Sequence, residues 1–301
     1  MQDYLVRAVT DDGLIRAFGC VTKNTVQKAI DHHNTSPVAT AALGRLLTAA
    51  AMMGSMLKGE KDLVTLQLNG GGPLGRVLAV SGCDCKVKGY VDNPNVDIPL
   101  NSAGKLDVGG AVGKDGFITV IQDLGLKEPY IGKIPLVTGE VGDDLVKYFA
   151  ISEQVPSVVA VGVLVDKDLS CKNSGGFIIQ VMPGATDDDI TKLEENLKNI
   201  KSVTEMLEGG MNIEEIMGVA LGGFDFHFTD KSDVEFYCNC SKERVRKVLR
   251  SVGAEELEDI IKEDGKAELD CHFCNEKYLF DLDELNEILA EIKSGSKGED
   301  Q

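Results

Sequence analysis

Cys238-Asn-Cys240, followed after thirty residues by Cys271-His-Phe-Cys274, is the stretch on which the reading of this chain turns. The chain opens Met1-Gln-Asp-Tyr4, with no basic region and no apolar signal core, and is read as cytosolic. Thiols stay reduced there, so two close cysteine pairs point to a metal before they point to disulfides. Four thiolates around one Zn2+ make a closed tetrahedral cage with Zn–S distances of roughly 2.3 Å. The Cys-x-x-Cys half is ordinary, because a tight turn aims both sulfurs at one ion. The Cys-x-Cys half is unusual. Residues i and i+2 share one face of a strand but chelate well only where the chain bends. The expected ligands are Cys238, Cys240, Cys271 and Cys274. His272 lies between two of them and can replace one, but four cysteines suffice.

Such a cage leaves no open position for a substrate or an activated water, which excludes hydrolase or deaminase chemistry at the metal. The deaminase pattern also needs a His-x-Glu, and none of the four histidines offers one. Zinc itself does no redox chemistry, but its thiolates do. An oxidant converts one sulfur to a sulfenic acid, and a neighbouring thiol closes it to a disulfide. Each disulfide removes two ligands, and a module that relies on its metal then unfolds. A permanently closed structural knuckle explains the spacing equally well, and at this level both readings stand.

The module around the cysteines spans 234–293. Ser241 caps a helix that presents Val245, Val248 and Leu249 on one face, and Gly253 closes it. A second short helix covers Glu255–Ile261, a strand Lys277–Phe280, and a last amphipathic helix Asp283–Ile292. So few core residues imply that the metal supplies much of the folding energy. The polar tail 294–301 is expected to be disordered. Upstream, 184–233 reads as a helical, metastable linker. Leu193, Leu197, Ile200, Val203 and Leu207 make one helical stripe, which ends at Gly209-Gly210. Ile213, Ile216, Met217 and Leu221 make a second, which ends at Gly222-Gly223. Short helices between glycine pairs are held by docking rather than by propensity, so this segment is a candidate for local unfolding. A rigid connector is the alternative.

Residues 1–183 read as an α+β domain, with helices packed on a mixed or mostly antiparallel sheet. Tyr4–Val9 and Leu14–Phe18 flank Asp11-Asp-Gly13 as a hairpin. Ser36-Pro37 opens a long helix running to about Lys58, so poor in charge that it must be buried on most sides. Its Met52, Met53 and Met56 are read as core. Strands are expected at Leu63–Leu68, Arg76–Val80, Lys86–Val91, Phe117–Leu124, Tyr130–Val137 and Gly175–Met182. The nearly continuous apolar run Ser157–Val165 is expected to be a central strand. Gly70-x-Gly72-x-x-Gly75 matches the dinucleotide fingerprint, but Pro73 and a strand follow where that motif needs a helix, so it is read as a hairpin turn. Cys83-Asp-Cys85 repeats the Cys-x-Cys pattern without a Cys-x-x-Cys partner. Cys20 and Cys171 are the remaining thiols, and none of these four is assigned a role. No run of about eighteen apolar residues is present, so no membrane span is expected.

The chain has 301 residues and a net charge of −18. That balance disfavours a nucleic-acid binder, which needs a basic footprint, and it keeps sticky surface soluble. Two competing readings are a zinc-ribbon recognition module and a nucleotide-using enzyme built on Gly70–Gly75. The first is weakened by the acidity and the second by the strand that follows the glycines.

Motifs spread along nearly the whole chain carry a specific resemblance. They are Asn69-Gly-Gly-Gly-Pro-Leu-Gly75, Gly89-Tyr-Val-Asp-Asn-Pro94, Tyr148-Phe-x-x-Ser-Glu-Gln-x-Pro156 and Gly175-Gly-Phe-x-x-Gln-x-Met-Pro-Gly184. Cys238-x-Cys240-Ser-x-Glu and Cys271-x-Phe-Cys274 complete them. The chain resembles the redox-regulated heat-shock chaperone family, also called the 33 kDa chaperonin family, whose hallmark is the paired Cys-x-Cys and Cys-x-x-Cys. That resemblance implies an ATP-independent holdase rather than an enzyme. It implies one zinc on the four cysteines in a reduced, inactive, monomeric state. Oxidation, especially with heat, would form the disulfides Cys238–Cys240 and Cys271–Cys274, expel zinc and unfold the module and linker. The oxidised form would dimerise and bind unfolding client proteins. No nucleic acid or membrane is an expected partner, and the expected location is cytoplasmic.

Overall fold

The computed structural model describes residues 2–198 and 200–295. The chain forms two compact units, one ending at Tyr237 and the other beginning at Cys238. The first opens with β1 (Tyr4–Thr10) and β2 (Ile15–Val21), the expected hairpin, followed by α1 (Lys23–His33) and α2 (Pro37–Gly54). A meander of β3 (Leu63–Asn69), β4 (Val77–Gly82) and β5 (Lys86–Val91) leads to the short α3 (Val108–Val112), β6 (Phe117–Asp123) and β7 (Tyr130–Pro135). Then α4 (Gly142–Tyr148) runs into a π-helical turn, Phe149–Glu153, before β8 (Ser157–Val165) and β9 (Cys171–Val181). Helices α5 (Asp187–Lys198), α6 (Val203–Glu208) and α7 (Ile213–Ala220) precede β10 (Phe226–Asp233) and β11 (Glu235–Phe236).

These strands make two sheets rather than one. The first has the order β10-β1-β2-β9-β8 and the second β11-β5-β4-β3-β6-β7. Neighbours are antiparallel except β11, which runs parallel to β5. Helix α2 lies between them. Ser36 caps it, its hydroxyl accepting from the Ala39 N–H at 3.4 Å, with Pro37 in the first turn. Leu43, Leu46, Leu47 and Met52 share one core with Leu5, Phe18 and Ile178 of the first sheet and Val64, Leu66 and Val120 of the second. By length and composition α2 could cross a membrane, yet 89% of it is buried inside the protein, so it is the core helix. It stops at Gly54, four residues short of the expected Lys58. At that point a Cβ would meet the Gly82 carbonyl and Ser81 Oγ at 2.5 Å, so only glycine lets the helix end press on β4.

Strand β8 corrects an expectation. Its apolar run predicts a central strand, but β8 is the edge of the first sheet. The reason is coverage on two faces. Val159, Val161 and Val165 pack on the core around α2, while Val158 and Ala160 pack on a second core on the opposite face. The same alternation runs through the sheet. Leu5, Phe18 and Ile178 point toward α2, whereas Val6, Ala17, Phe177 and Ile179 point outward.

Helices α5–α7 cover that outward face. Leu193, Val203, Met206, Ile213, Ile216, Met217 and Ala220 are buried on it. At Gly19 a Cβ would sit 2.3 Å from Met217 Sδ and 2.8 Å from Ile213 Cγ1, so α7 rests directly on the β2 backbone. The stripe Leu193–Leu207 predicts one helix, and the structure breaks it between Lys198 and Val203. Ser202 starts α6 instead: its hydroxyl accepts from the Glu205 N–H, and the Glu205 carboxylate accepts from the Ser202 N–H. Asn212 and Glu215 cap α7 in the same way. These reciprocal bonds satisfy orphan donors at each start, as capping boxes do.

The second unit holds α8 (Lys242–Val252), α9 (Ala254–Glu263), the hairpin β12 (Ala267–Asp270)–β13 (Lys277–Phe280), and α10 (Leu282–Gly295). Its core is small: Leu249, Leu257, Phe280, Leu285 and Ile288 are the fully buried members. Val248, expected on the buried face of α8 with Leu249, is 56% exposed, because it sits about 100° round the helix from Leu249. Of the expected tail, 296–301 lies outside the described residues.

Candidate metal centre

Two short backbone devices bring the four cysteines together. Cys238 and Cys240 precede α8, whose start is fixed by the Ser241 hydroxyl accepting from the Arg244 N–H at 3.2 Å. Cys271 and Cys274 form the turn between β12 and β13. There the Cys271 carbonyl accepts from the N–H of Cys274 at 3.3 Å and of Asn275 at 2.7 Å, and the Cys271 N–H donates to the Glu276 carbonyl at 3.0 Å. Asn275 supplies the left-handed residue, with φ 55°, that turns the chain back into β13.

The sulfurs of Cys238, Cys240, Cys271 and Cys274 all lie within 4.8 Å of one another. Across the two pairs, Cys238 and Cys271 lie 3.6 Å apart and Cys240 and Cys274 3.3 Å. A tetrahedron built on Zn–S bonds of about 2.3 Å has S···S edges of about 3.8 Å, so the set fits a thiophilic ion with little adjustment. All four are half-buried. Among the described residues this is the one cluster of metal-ligating type, and His272 is not a member.

Burial pushes the Cys238 thiol up to about 11, against a donation from the Cys240 N–H. Burial likewise raises Cys274, against a donation from the Glu276 N–H. Burial raises Cys240 too, but donation from the Tyr278 hydroxyl, at 3.1 Å, and from the neighbouring thiols outweighs it, and the net shift is downward. The sequence reading did not single out Tyr278. Four residues after Cys274 in a strand, it reads as ordinary core.

The remaining cysteines are not part of this cluster. Cys20, Cys85 and Cys171 are buried in the first unit and Cys83 is half-buried at the β4–β5 turn. Burial raises Cys20 well above the usual thiol range, Cys85 to about 11 and Cys171 to about 12. The Gly70–Gly75 fingerprint is an internal packing device. Gly72 N–H donates to the Val112 carbonyl, Leu74 N–H to the Ala111 carbonyl, and the Gly70 carbonyl accepts from Asp115 N–H. A Cβ at Gly70 would meet the Gly113 carbonyl at 2.2 Å. Those backbone groups are therefore engaged by the chain itself rather than presented to a phosphate.

The family described as Hsp33 protein matches residues 3–281. The chain belongs to the Hsp33 family. The 33 kDa chaperonin of Clostridium tetani is 50% identical to it over 289 residues, covering 96% of this chain and 98% of the relative. The 33 kDa chaperonin of Agathobacter rectalis is 50% identical over 288 residues, covering 96% and 100%. A solved structure, the 33 kDa chaperonin of Thermotoga maritima, superposes with a TM-score of 0.91 at 36% identity, covering 98% of this chain and 100% of that one. As an Hsp33-type chaperone, the chain carries its four-sulfur cluster on an α+β scaffold of the same fold.

Proposed function

We propose that this protein is a redox-switched, ATP-independent holdase. In the reduced state Cys238, Cys240, Cys271 and Cys274 hold one Zn2+, and the protein is a silent monomer. When bound, the ion would tie the two cysteine pairs into one closed cage and so support a unit whose core, among the described residues, has five fully buried side chains. Peroxide takes two electrons from a pair of thiolates. An S–O bond forms as O–O breaks, then the second sulfur displaces hydroxide to give S–S, and two protons complete two waters. Oxidation closes Cys238–Cys240 and Cys271–Cys274, and the unit 234–293 loses its fold. The linker 184–233 then leaves the first sheet. The active form dimerises and captures unfolding proteins in the cytoplasm.

The observation that carries this reading is the outward face of the first sheet. Val6, Ala8, Ile15, Ala17, Phe177 and Ile179 are buried there beneath α5–α7, the helices that lead toward the cysteine unit. Displacing three short helices uncovers a broad apolar surface, and a net charge of −18 keeps its client complexes soluble.

The 3.6 and 3.3 Å approaches also permit a second outcome, cross-pair closure to Cys238–Cys271 and Cys240–Cys274. It has the opposite consequence. Closing loops of about 33 residues would restrain the unfolded chain by roughly 4 kcal/mol each, and so hold the unit shut. Within-pair closure leaves the two halves untethered and permits unfolding. The test is zinc content, disulfide mapping and suppression of client aggregation, before and after peroxide at elevated temperature. Zinc loss with within-pair disulfides and a gain of holdase activity is expected. Retained zinc, or zinc loss without that gain, refutes the switch.

A further inference from the structure

The Tyr278 hydroxyl lies 3.1 Å from Cys240 Sγ and donates to it. The donor is placed by regular structure: Tyr278 is on β13, paired with Leu269 of β12, and its ring packs at the margin of the small core. Two other sulfurs of the cluster take backbone donors that come with their own turns, Cys238 from the Cys240 N–H and Cys274 from the Glu276 N–H. Such donors are indifferent to side-chain identity. Tyr278 is different, because one oxygen atom decides whether the bond exists.

We propose that Tyr278 is a positioning residue that sets the oxidation threshold of the cysteine cluster, by hydrogen-bonding Cys240 Sγ. The inference rests on the reading that the four cysteines hold zinc and are oxidised. A thiolate attacks peroxide with a sulfur lone pair: S–O forms, O–O breaks, and hydroxide leaves with the electron pair. The lone pair that accepts the phenol O–H is withdrawn from that attack. The same bond stabilises the thiolate as a ligand, since a donor behind a metal ligand typically changes affinity by 10–100-fold. Both effects act in one direction. With the hydroxyl present, Cys240 is slow to oxidise and firm on the metal; without it, the cluster yields to less oxidant.

The full-length protein is prepared as wild type, Tyr278→Phe and Tyr278→Leu. Phe keeps the ring and its packing and removes the hydroxyl alone; Leu removes both. Zinc affinity is measured by competition with a chelator. Early sulfenic acid is trapped with dimedone at limiting peroxide and assigned to each cysteine by mass spectrometry. For Tyr278→Phe the expected results are a zinc affinity about tenfold lower and a several-fold rise in the share of label on Cys240. An unchanged affinity and label pattern in Tyr278→Phe overturns the proposal. If only Tyr278→Leu departs from wild type, the ring packs and the hydroxyl does nothing, which overturns it equally. Wild type that binds no zinc refutes the parent reading and this inference together, whereas wild type that binds and releases zinc while Tyr278→Phe matches it refutes this inference alone.

Discussion

Replacing Ile216 by alanine isolates the contact between the linker and the first sheet. Ile216 is fully buried in the core that α5–α7 share with the sheet's outward face. The change removes three carbons and leaves a cavity, which costs 2–5 kcal/mol in comparable cores, here taken as about 3 kcal/mol. Ile213, Met217 and Ala220 remain to hold α7, so the loss weakens its docking without abolishing it. The Tyr4 hydroxyl donates to Glu214 at 2.6 Å, and Lys231 pairs with Glu214 at 3.1 Å on an exposed surface. An exposed pair of that kind contributes about 0–1 kcal/mol. A loss of about 3 kcal/mol therefore raises the open population of α7 roughly a hundredfold, at 1.4 kcal/mol per factor of ten.

Amide hydrogen exchange on the reduced, zinc-loaded protein reads that population directly. Amides of Ile213–Ala220 should exchange roughly a hundredfold faster in Ile216→Ala, while those of β3 and β4 keep their protection. In parallel, the reduced variant should suppress aggregation of a heat-unfolded client without oxidant. Val219→Ala is the matched control: the same helix, but a side chain 46% exposed, so neither readout should move. A linker that opens a hundredfold more often while the reduced protein stays silent would refute the argument that α5–α7 keep the chaperone inactive by covering this face.

Chelation of the reduced protein should unfold the unit that begins at Cys238 and leave the core around α2 folded, seen as partial loss of helical circular dichroism with one cooperative transition remaining. Zinc affinity should fall on acidification. The metal-free thiols of Cys238, at about 11, and of Cys274, also raised, carry protons at neutral pH that the metal must displace. At least two displaced protons weaken apparent binding by about a hundredfold or more per pH unit lost, measurable by competition titration between pH 6 and 8. Brief alkylation of the native zinc form should label Cys83 and spare Cys20, Cys85 and Cys171, whose burial both hides them and keeps them protonated. Mass spectrometry decides it, and rapid labelling of Cys171 would contradict the packing of β9.

Where the sequence misled, coverage and connection were confused. Ser157–Val165 is apolar at nearly every position because both of its faces are packed, and that pattern is silent about whether a strand has one neighbour or two. Hydrophobicity reports the faces; the edge is a matter of hydrogen-bond partners contributed from elsewhere in the chain. The stripe Leu193–Leu207 failed differently. Periodicity over fifteen residues suggested one helix, while Ser202-x-x-Glu205 carried the signature of a new start. The local capping signal prevailed, because side-chain bonds to the backbone offer an exit from the helix that an apolar stripe does not forbid. By contrast the Asp11-Asp-Gly13 hairpin and the Ser36-Pro37 helix start were legible, since each depends only on residues within one turn.

The cluster of four cysteines was legible for the same reason. Cysteines at short spacing inside a turn are brought together by local geometry, and only the meeting of the two halves required the fold. Tyr278 was not legible, because the direction of its hydroxyl depends on the β12–β13 register, which a strand-like tyrosine does not announce. The division has a physical consequence for a switch of this kind. The four ligands fix whether a metal can be held, and any chain with this spacing shares them. On the proposed switch, how much oxidant dislodges it would depend on the donors around the sulfurs and on how firmly short helices dock on an apolar sheet. Both are set by single atoms at long sequence separation: one hydroxyl oxygen on Tyr278, and a few buried carbons on α7 lying over Gly19. If both proposals hold, sensitivity would shift by an order of magnitude or more through substitutions that leave every cysteine in place.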